Sequence, residues 1–150
     1  MSSYSISLIW QRATPDFDVK TFNRNHRWYL SGGQAVEGSA APEYAGNADM
    51  SNPEEALLAA LASCHMLTFL SIAALRRLMV DGYADDPVAE LGKNDQGKTM
   101  VSRLILRPKV TFGGDAAADV DTILNLHRKA KENCFIGNSL LSEIILEPRF

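Results

Sequence analysis

Polar and apolar residues alternate over the first part of the chain, which is the period expected for half-buried strands. The segment SYSISLIW places Tyr4, Ile6 and Leu8 on one face of a strand. The segment HRWYLSGG predicts another strand, which ends in a turn at Gly32 and Gly33. Residues 1–36 are therefore predicted to form mainly strands.

Two connecting segments complete this part of the chain. A turn around Pro15 and a short strand over Asp18–Phe22 are expected between the two strands. Residues 37–52 are rich in Gly, Ala, Ser, Pro and Asn, which predicts a loop. Its length is typical of functional loops rather than of plain connections.

A long apolar run follows, and its first residues carry clear helix-start signals. Asn52 is a good N-cap residue, Pro53 suits the first helical position, and Glu55 completes a capping-box pattern. Gly82 is the expected end signal. One helix is therefore predicted over residues 53–80.

The second half of the chain alternates again. Strands are predicted over Ala84–Asn94 and Thr99–Phe112, with KNDQGK as the hairpin turn between them. Residues 117–133 have an amphipathic helical pattern, FIGNSL predicts a turn or short helix, and SEIILEPRF predicts a last strand. The order βββ–α–ββ–α–β, with no internal repeat or linker, predicts an α+β fold with antiparallel sheets in a single domain, residues 1–150.

The apolar helix admits three interpretations. The segment Ala56–Leu75 has no charged residue and is long enough to span a membrane. Its polar residues, such as Thr68 and Ser71, and the amphipathic strands around it favour a buried helix of a soluble protein instead. Such a helix is either an inert core element or the carrier of a reactive thiol, because Cys64 and His65 lie at its centre.

Composition excludes several functional classes. The net charge is 15 − 18 = −3, which disfavours nucleic-acid binding. The first residues, MSSYSISLIWQRATPDF, lack the basic and long apolar regions of a secretory signal, which predicts a cytoplasmic location. Cys64 and Cys134 are too few and too far apart for a zinc signature, and no phosphate-binding glycine loop is present. No metal, cofactor, nucleic-acid or membrane partner is expected.

A reactive Cys64 requires other residues that lower the pKa of its thiol. A thiolate in an apolar site has a raised pKa unless a cation is near, and Arg24 or Arg27 is a candidate for that cation. Either arginine is equally well explained as a solvated strand residue. Cys134, at the end of the second predicted helix, is a candidate to approach Cys64.

The three histidines are weaker candidates for chemistry. His65 points about 100° away from Cys64 around the helix, so a hydrogen-bonded core histidine is favoured over a base for the thiol. His26 and His127 are expected to be surface or strand residues.

Three segments together resemble the OsmC/Ohr family of thiol-dependent peroxidases. They are NPEEALLAALASCHML at 52–67, AKENCFIGNSLLSEIILEP at 130–148 and, more weakly, FNRNHRWYLSGG at 22–33. The SCHML sequence resembles the OsmC-like branch more than the Ohr branch. The resemblance implies an OsmC-like fold in an intertwined homodimer, with a long buried central helix and two active sites at the subunit interface.

The resemblance also implies roles for individual residues. Cys64 would be the peroxidatic cysteine and Cys134 the resolving one, with a disulfide formed between them. Glu54 and an arginine, Arg24 or alternatively Arg27, would complete the site. The implied substrates are hydroperoxides, and the implied reductants are dithiols such as lipoyl groups on partner proteins.

Organic hydroperoxides are the expected substrates if apolar side chains surround the thiol. The residues Leu57, Leu61, Met66 and Trp28 are candidates for such a pocket, although residues of this kind at helical spacing more often belong to the core.

Helix geometry predicts that the site needs two chains. Glu54 and Cys64 are ten residues apart, which corresponds to about 15 Å along one straight helix. Direct contact within one helix is therefore impossible, so if Glu54 serves a Cys64 site, as the resemblance implies, it should be the site of another subunit. Two other functions remain open: a non-catalytic protein that binds a small apolar ligand at the dimer interface, and a structural core with two idle cysteines.

Overall fold

A computed structural model describes residues 1–114 and 118–150, which fall into two units, Met1–Ala56 and Leu57–Phe150. The α+β class is confirmed by eight strands and two α-helices in this part of the chain. The elements are β1 (Ile6–Ile9), β2 (His26–Leu30), β3 (Ala35–Gly38), α1 (Pro53–Leu75), β4 (Val80–Ala84), β5 (Val88–Lys93), β6 (Thr99–Leu106), β7 (Lys109–Phe112), α2 (Val120–Asn133) and β8 (Glu143–Leu146).

The first unit contains an antiparallel sheet with the order β1-β2-β3. The predicted turn after β2 is confirmed: Gly33 has φ 85°, a conformation that glycine adopts without strain, and its N–H donates to Leu30 O at 3.0 Å. The strand predicted over Asp18–Phe22 is wrong. Both Thr21 and Phe22 donate their backbone N–H groups to Asp18 O, so this segment is a turn.

The predicted start of α1 is confirmed in detail. Asn52 Oδ1 accepts from Glu55 N at 2.8 Å, and Asn52 N donates to Glu55 Oε2 at 3.1 Å. These reciprocal bonds form a capping box and satisfy two backbone donors that a helix start leaves unpaired.

The predicted end of α1 is wrong, because the helix stops at Leu75 rather than near residue 80. Arg77 adopts a left-handed conformation with φ 59°. Leu78 N then donates to Ala73 O, and Arg77 N donates to Ala74 O. This pair of bonds is a Schellman motif, in which a non-glycine residue occupies the position that glycine usually takes. Gly82 lies instead within β4.

The second unit contains two sheets, β5-β6-β8 and β4-β7. The predicted KNDQGK hairpin joins β5 to β6, but the predicted strand Thr99–Phe112 divides at Arg107 and Pro108 into β6 and β7. Proline has no N–H to continue a ladder, so the chain changes sheets there. The expectation of purely antiparallel sheets is also wrong, because β8 pairs with β6 in parallel.

The second helix begins at Val120, with Asp119 as its N-cap. Thr122 N donates to Asp119 Oδ1 at 2.7 Å. The predicted start at residue 117 lies outside the described residues. The buried residues of α2 are Leu126, His127 and Ala130, so one side of the helix faces the core.

The helix α1 packs through a single stripe. Its buried residues, Leu61, His65, Phe69 and Ala73, recur every fourth position and therefore share one side of the helix. Other apolar residues of α1 remain uncovered in the single chain, and Leu67 is 60 % exposed. Within the described residues, α1 is the one helix long and apolar enough to cross a membrane, a property that core helices of soluble proteins share.

Burial of β6 supplies the first prediction. Leu104 is fully buried and clusters with Leu61, Leu106 and Cys134. We expect Leu104→Ala to lower the free energy of unfolding by about 2–5 kcal/mol, because the lost contacts leave a cavity. Urea denaturation followed by circular dichroism measures the change. Lys98→Ala, in the exposed hairpin turn, is the control, and an equal loss in both variants would contradict this packing.

Candidate active site

The two cysteines are brought together in the second unit, although they are far apart in the sequence. Cys64 lies near the middle of α1 and is partly exposed, whereas Cys134 follows the last residue of α2 and is buried. Both are free thiols, Cys64 packs against the buried cluster that contains Cys134, and each thiol shifts the pKa of the other. The sequence-based expectation that Cys134 approaches Cys64 therefore agrees with the structure.

The chain that follows α2 packs closely against Cys134. The chain leaves the helix there in an extended conformation, and a short 3-10 turn follows at Gly137–Ser139. Gly137 N donates to Cys134 Sγ at 3.3 Å. A Cβ atom at Gly137 would lie 3.3 Å from Ile144 Cδ1 and 3.6 Å from Cys134 Sγ, so glycine allows this close approach.

The same turn favours an ionised Cys64. Burial raises the pKa of Cys64, but hydrogen bonds from the Cys134 thiol and from the backbone N–H groups of Ile136 and Phe135 lower it by more. The Thr68 hydroxyl lowers it further. The pKa of Cys64 therefore lies below its ordinary value, and neutral donors are sufficient to produce this effect.

Cys134 has the opposite tendency. Burial and the hydrogen bond to Cys64 raise the pKa of Cys134 to about 11. At neutral pH, Cys134 is thus a thiol that donates its proton toward Cys64. The environment thus shifts the two thiols in opposite directions, with ionisation favoured at Cys64 and disfavoured at Cys134.

Cys64 opens into a groove of about 680 Å³. Its described lining residues, none of them charged, are Ala60, Ser63, Cys64, Leu67, Thr68, Ser71, Asn133, Phe135 and Ile136. The predicted pocket residues Leu57, Leu61 and Met66 do not line it, and Leu61 is buried in the core. The apolar wall comes instead from Leu67, Phe135 and Ile136.

The predicted arginines belong to the first unit. The Arg24 guanidinium donates to the backbone carbonyls of Val19 and Phe22 and lies 3.7 Å from the centre of the Phe22 ring. Arg27 forms an ion pair with Glu37 in which both side chains are half exposed. Such an exposed pair contributes little to stability.

Arg24 also lines a cavity of about 320 Å³ within the first unit. Trp10, Phe17 and Phe22 supply its aromatic wall, with ring centres 5.3–6.1 Å apart. His26 borders the same cavity, and its Nδ1 donates to Arg24 O at 2.7 Å. His26 lies in β2, so its prediction as a strand residue is confirmed.

Glu54 is the second residue of α1, and its Oε2 atom is buried without a hydrogen-bond partner among the described residues. Buried carboxylate oxygens are normally paired, because leaving one unpaired costs free energy.

The prediction for His65 is confirmed, and the prediction for His127 is wrong. Both rings are buried at 1 % exposure, and His65 Nε2 lies 3.1 Å from His127 Nδ1. His127 follows the spacing of the buried side of α2, with Ala130 three and Cys134 seven residues later. That spacing was the sequence signal for its burial.

Sequence reasoning also missed the neutral donors around Cys64. Thr68 follows Cys64 by four residues, a spacing that places both on one side of α1. The N–H groups of Phe135 and Ile136 carry no sequence signature. In the described part of the chain, no group of three or more His, Cys, Asp or Glu residues is arranged to hold a metal ion.

The Thr68 hydroxyl supplies a second prediction. It donates to Cys64 O at 2.8 Å, and its proximity to the thiol lowers the pKa of Cys64. We expect Thr68→Val to raise the pKa of Cys64, since this polar contribution is lost, and Thr68→Ser to leave it unchanged. The pH dependence of Cys64 alkylation, followed by peptide mass spectrometry, measures the pKa.

Ser71→Ala is the matched control, because Ser71 lines the same groove and donates to Leu67 O at 2.8 Å. It should leave the pKa of Cys64 unchanged. The assignment fails if Thr68→Val has no effect or if Ser71→Ala raises the pKa equally.

Comparison with known proteins places this arrangement in a family. The family model described as OsmC-like protein matches residues 46–148. No curated protein matches the chain. An OsmC-like protein of unknown function from Vibrio cholerae has 40% sequence identity and a TM-score of 0.95, and the match covers 99% of this chain and 100% of that one.

More distant structures share the fold. An OsmC-like protein from Mycoplasma pneumoniae has 14% identity and a TM-score of 0.76, with 99% of this chain and 96% of that one covered. The organic hydroperoxide resistance protein OhrB of Bacillus subtilis has 16% identity and a TM-score of 0.71, with 99% and 98% covered. The chain therefore belongs to the OsmC/Ohr family of OsmC-like proteins.

Proposed function

We propose that this protein is a cysteine-based thiol peroxidase that reduces organic hydroperoxides in oxidative stress defence. The observation that carries the proposal is the contact between two thiols with opposite pKa shifts, Cys64 lowered and Cys134 raised. Cys64 is the peroxidatic cysteine and Cys134 the resolving cysteine. Membership in a family that includes hydroperoxide resistance proteins supports the same reaction class.

In the first step, the Cys64 thiolate attacks one oxygen of the peroxide. A sulfur–oxygen bond forms, the O–O bond breaks, and the leaving alkoxide takes up a proton to become an alcohol. The sulfur loses two electrons and becomes a sulfenic acid, while the peroxide gains two. Hydrogen peroxide would give water in place of the alcohol. The groove walls of Leu67 and Phe135 favour an alkyl substituent on the peroxide.

In the second step, Cys134 attacks the Cys64 sulfenic acid. An S–S bond forms and the sulfenic oxygen leaves as water with the Cys134 proton. The Cys64 thiolate raises the pKa of Cys134 both as hydrogen-bond partner and as a charge. Oxidation of Cys64 removes this negative charge, whereas the N–H groups of Gly137 and Ile136 remain and lower the pKa of Cys134. Cys134 thus becomes more nucleophilic after the first step.

A dithiol then returns the enzyme to its starting state. One dithiol sulfur attacks the Cys64–Cys134 disulfide, and the second releases the mixed disulfide, so that the dithiol is oxidised by two electrons. The proposed reductants are lipoyl groups on partner proteins. No cofactor takes part. The protein acts in the cytoplasm, without nucleic acid or membrane as a partner.

Arg24 and Glu54 complete the proposed site, with Arg27 as the alternative arginine. A carboxylate and a guanidinium can form two parallel hydrogen bonds, which fixes the orientation of the cation. The unpaired Oε2 of Glu54 supports a role in which this carboxylate meets a donor from another chain.

The proposed active unit is a homodimer. Two features of α1 support it: the uncovered apolar side that includes Leu67, and the separation of about 15 Å along the helix between Glu54 and Cys64. A second chain would cover the exposed apolar side and bring its own Glu54 to the site. Large apolar surfaces on a soluble chain commonly mark such interfaces.

The proposed activity predicts the behaviour of single variants. With dihydrolipoamide as reductant, we expect wild-type protein to consume cumene hydroperoxide faster than hydrogen peroxide. Cys64→Ser should reduce both rates to background, because the nucleophile is lost. Cys134→Ser should consume one equivalent and then slow sharply, because the disulfide cannot form.

Ser63→Ala, which alters the same groove without removing a thiol, is the control and should remain active. No peroxide loss above background, with Cys64 still a free thiol after exposure, would reject the enzyme. It would favour the alternative function, binding of a small apolar ligand at the dimer interface without turnover, which native mass spectrometry of copurified ligand would detect.

A site built by two chains makes a further prediction. Glu54→Gln and Cys64→Ser should each be inactive alone, but a mixed dimer has one intact site. Random pairing of equal amounts should restore about a quarter of wild-type activity, since half the dimers are mixed and each has one working site of two.

Cys64→Ser mixed with Cys134→Ser is the matched control for this complementation. Those two residues come from the same chain, so no intact site forms and no recovery is expected. Absence of recovery with Glu54→Gln, in a sample shown by mass spectrometry to contain mixed dimers, would contradict the shared site. A monomeric protein in light-scattering measurements would contradict it as well.

A further inference from the structure

The two helices that carry the cysteines meet along apolar stripes that contain one polar contact. Leu61 of α1 clusters with Cys134, and the Phe69 ring centre lies 4.4 Å from that of His127. Between these contacts, His65 Nε2 lies 3.1 Å from His127 Nδ1.

This histidine pair is costly to bury. Burial lowers the pKa of both His65 and His127 to about 4, so both rings are neutral at neutral pH, and one ring donates to the other. His127 Nε2 is buried without a partner among the described residues. Apolar residues of similar size would avoid these costs. Replacing a buried polar pair by apolar residues is often neutral or stabilising.

A single polar pair can fix the register of two packed helices, which apolar packing alone does not. Apolar contacts are not directional, and similar packing energies are available when one helix shifts by a turn along another. A hydrogen bond requires two particular atoms to meet, and polar residues in coiled-coil interfaces fix register in this way at a cost in stability.

The register of these helices matters for the thiols. Cys64 directly precedes His65, and Cys134 follows His127 by seven residues, which is two helical turns on the same side of α2. A slip by one turn moves a residue about 5.4 Å. A disulfide requires Cα atoms about 4.4–6.8 Å apart, so such a slip would separate the two sulfurs.

We infer that the His65–His127 hydrogen bond is a positioning device that holds α1 and α2 in the register in which Cys134 reaches Cys64. The role belongs to the resolving step, so it rests on the proposed two-cysteine chemistry. Neither histidine touches the peroxide, and both are positioning residues.

The bonding atoms allow a test with four polar variants of similar size. His65 uses Nε2, whose position the Gln amide reproduces, and His127 uses Nδ1, whose position the Asn amide reproduces. His65→Gln and His127→Asn therefore keep the bond. In the exchanged variants the side-chain length is wrong. The amide of His65→Asn ends short of the Nε2 position, and the amide of His127→Gln extends past the Nδ1 position, so both variants break the hydrogen bond.

Each variant is oxidised with diamide, an azo compound that accepts two electrons and two protons as two thiols form a disulfide. Mass spectrometry then gives the rate of Cys64–Cys134 disulfide formation. Rates of the first step are measured separately, from consumption of one equivalent of cumene hydroperoxide. Because diamide does not depend on peroxidase activity, failure of the proposed enzyme and failure of the register role give different results.

We expect the bond-breaking variants to form the disulfide about ten- to a hundredfold more slowly, since small misplacements of reacting groups have effects of this size. The bond-keeping variants should stay near the wild-type rate. Where wild type consumes peroxide, the first step should stay near the wild-type rate in the bond-keeping variants. It should also slow in the bond-breaking variants, because the donors from Cys134, Phe135 and Ile136 that lower the pKa of Cys64 move with the end of α2.

Leu126→Ala is the control for an effect that comes only from lost stability. Leu126 is fully buried in the same helix contact but has no polar role, so this variant should lose stability while forming the disulfide at the wild-type rate. The inference is overturned if folded bond-breaking variants form the disulfide as fast as wild type. It is also overturned if Leu126→Ala slows disulfide formation equally. If one bond-breaking variant does not fold, the other, on the opposite helix, decides.

Discussion

The contact between the buried stripe of α1 and the end of α2 is the constraint on which the site depends. Leu61, His65, Phe69 and Ala73 recur every fourth residue, and this side of α1 is in the core. Cys64 lies one residue outside the stripe, at its edge. Its sulfur is therefore close enough to the core to meet Cys134 and far enough out to reach the groove. A cysteine within the stripe would be inaccessible, and one on the opposite side would have no partner.

The electrostatics of the pair follow from that placement. Among the described residues that line the groove none is charged, yet the pKa of Cys64 lies below its ordinary value. The donors are a thiol, a hydroxyl and the backbone N–H groups at the turn after α2. Hydrogen-bond donors directed at a thiolate favour its charged form without a cation. Neutral donors thus lower the pKa of Cys64 within the single chain. In the proposed reaction, Arg24 lowers it further.

The apolar length of α1 has a related explanation. One side of the helix is occupied by the stripe, whereas Leu67 and other apolar residues face outward in the single chain. In the proposed homodimer, the second subunit covers this side, and Glu54 gains the partner that its buried Oε2 lacks. The same helix then supplies the thiol for one site and the carboxylate for the other. A single chain would have half of each site, which links oligomeric state to activity.

The sequence by itself determined the α+β class, the start of α1 at its capping box and the hairpin turn with Gly97. It also singled out Cys64 and Cys134, which the structure brings together. These features depend on hydrogen bonds between neighbours in the chain or on long motifs. Only the tertiary structure decided that α1 ends at Leu75, before the left-handed Arg77, and that β8 lies parallel to β6. It also decided that His127 is buried against His65, a contact across 62 positions of sequence. Local patterns cannot specify such contacts, because the free energy that selects them comes from packing between distant segments.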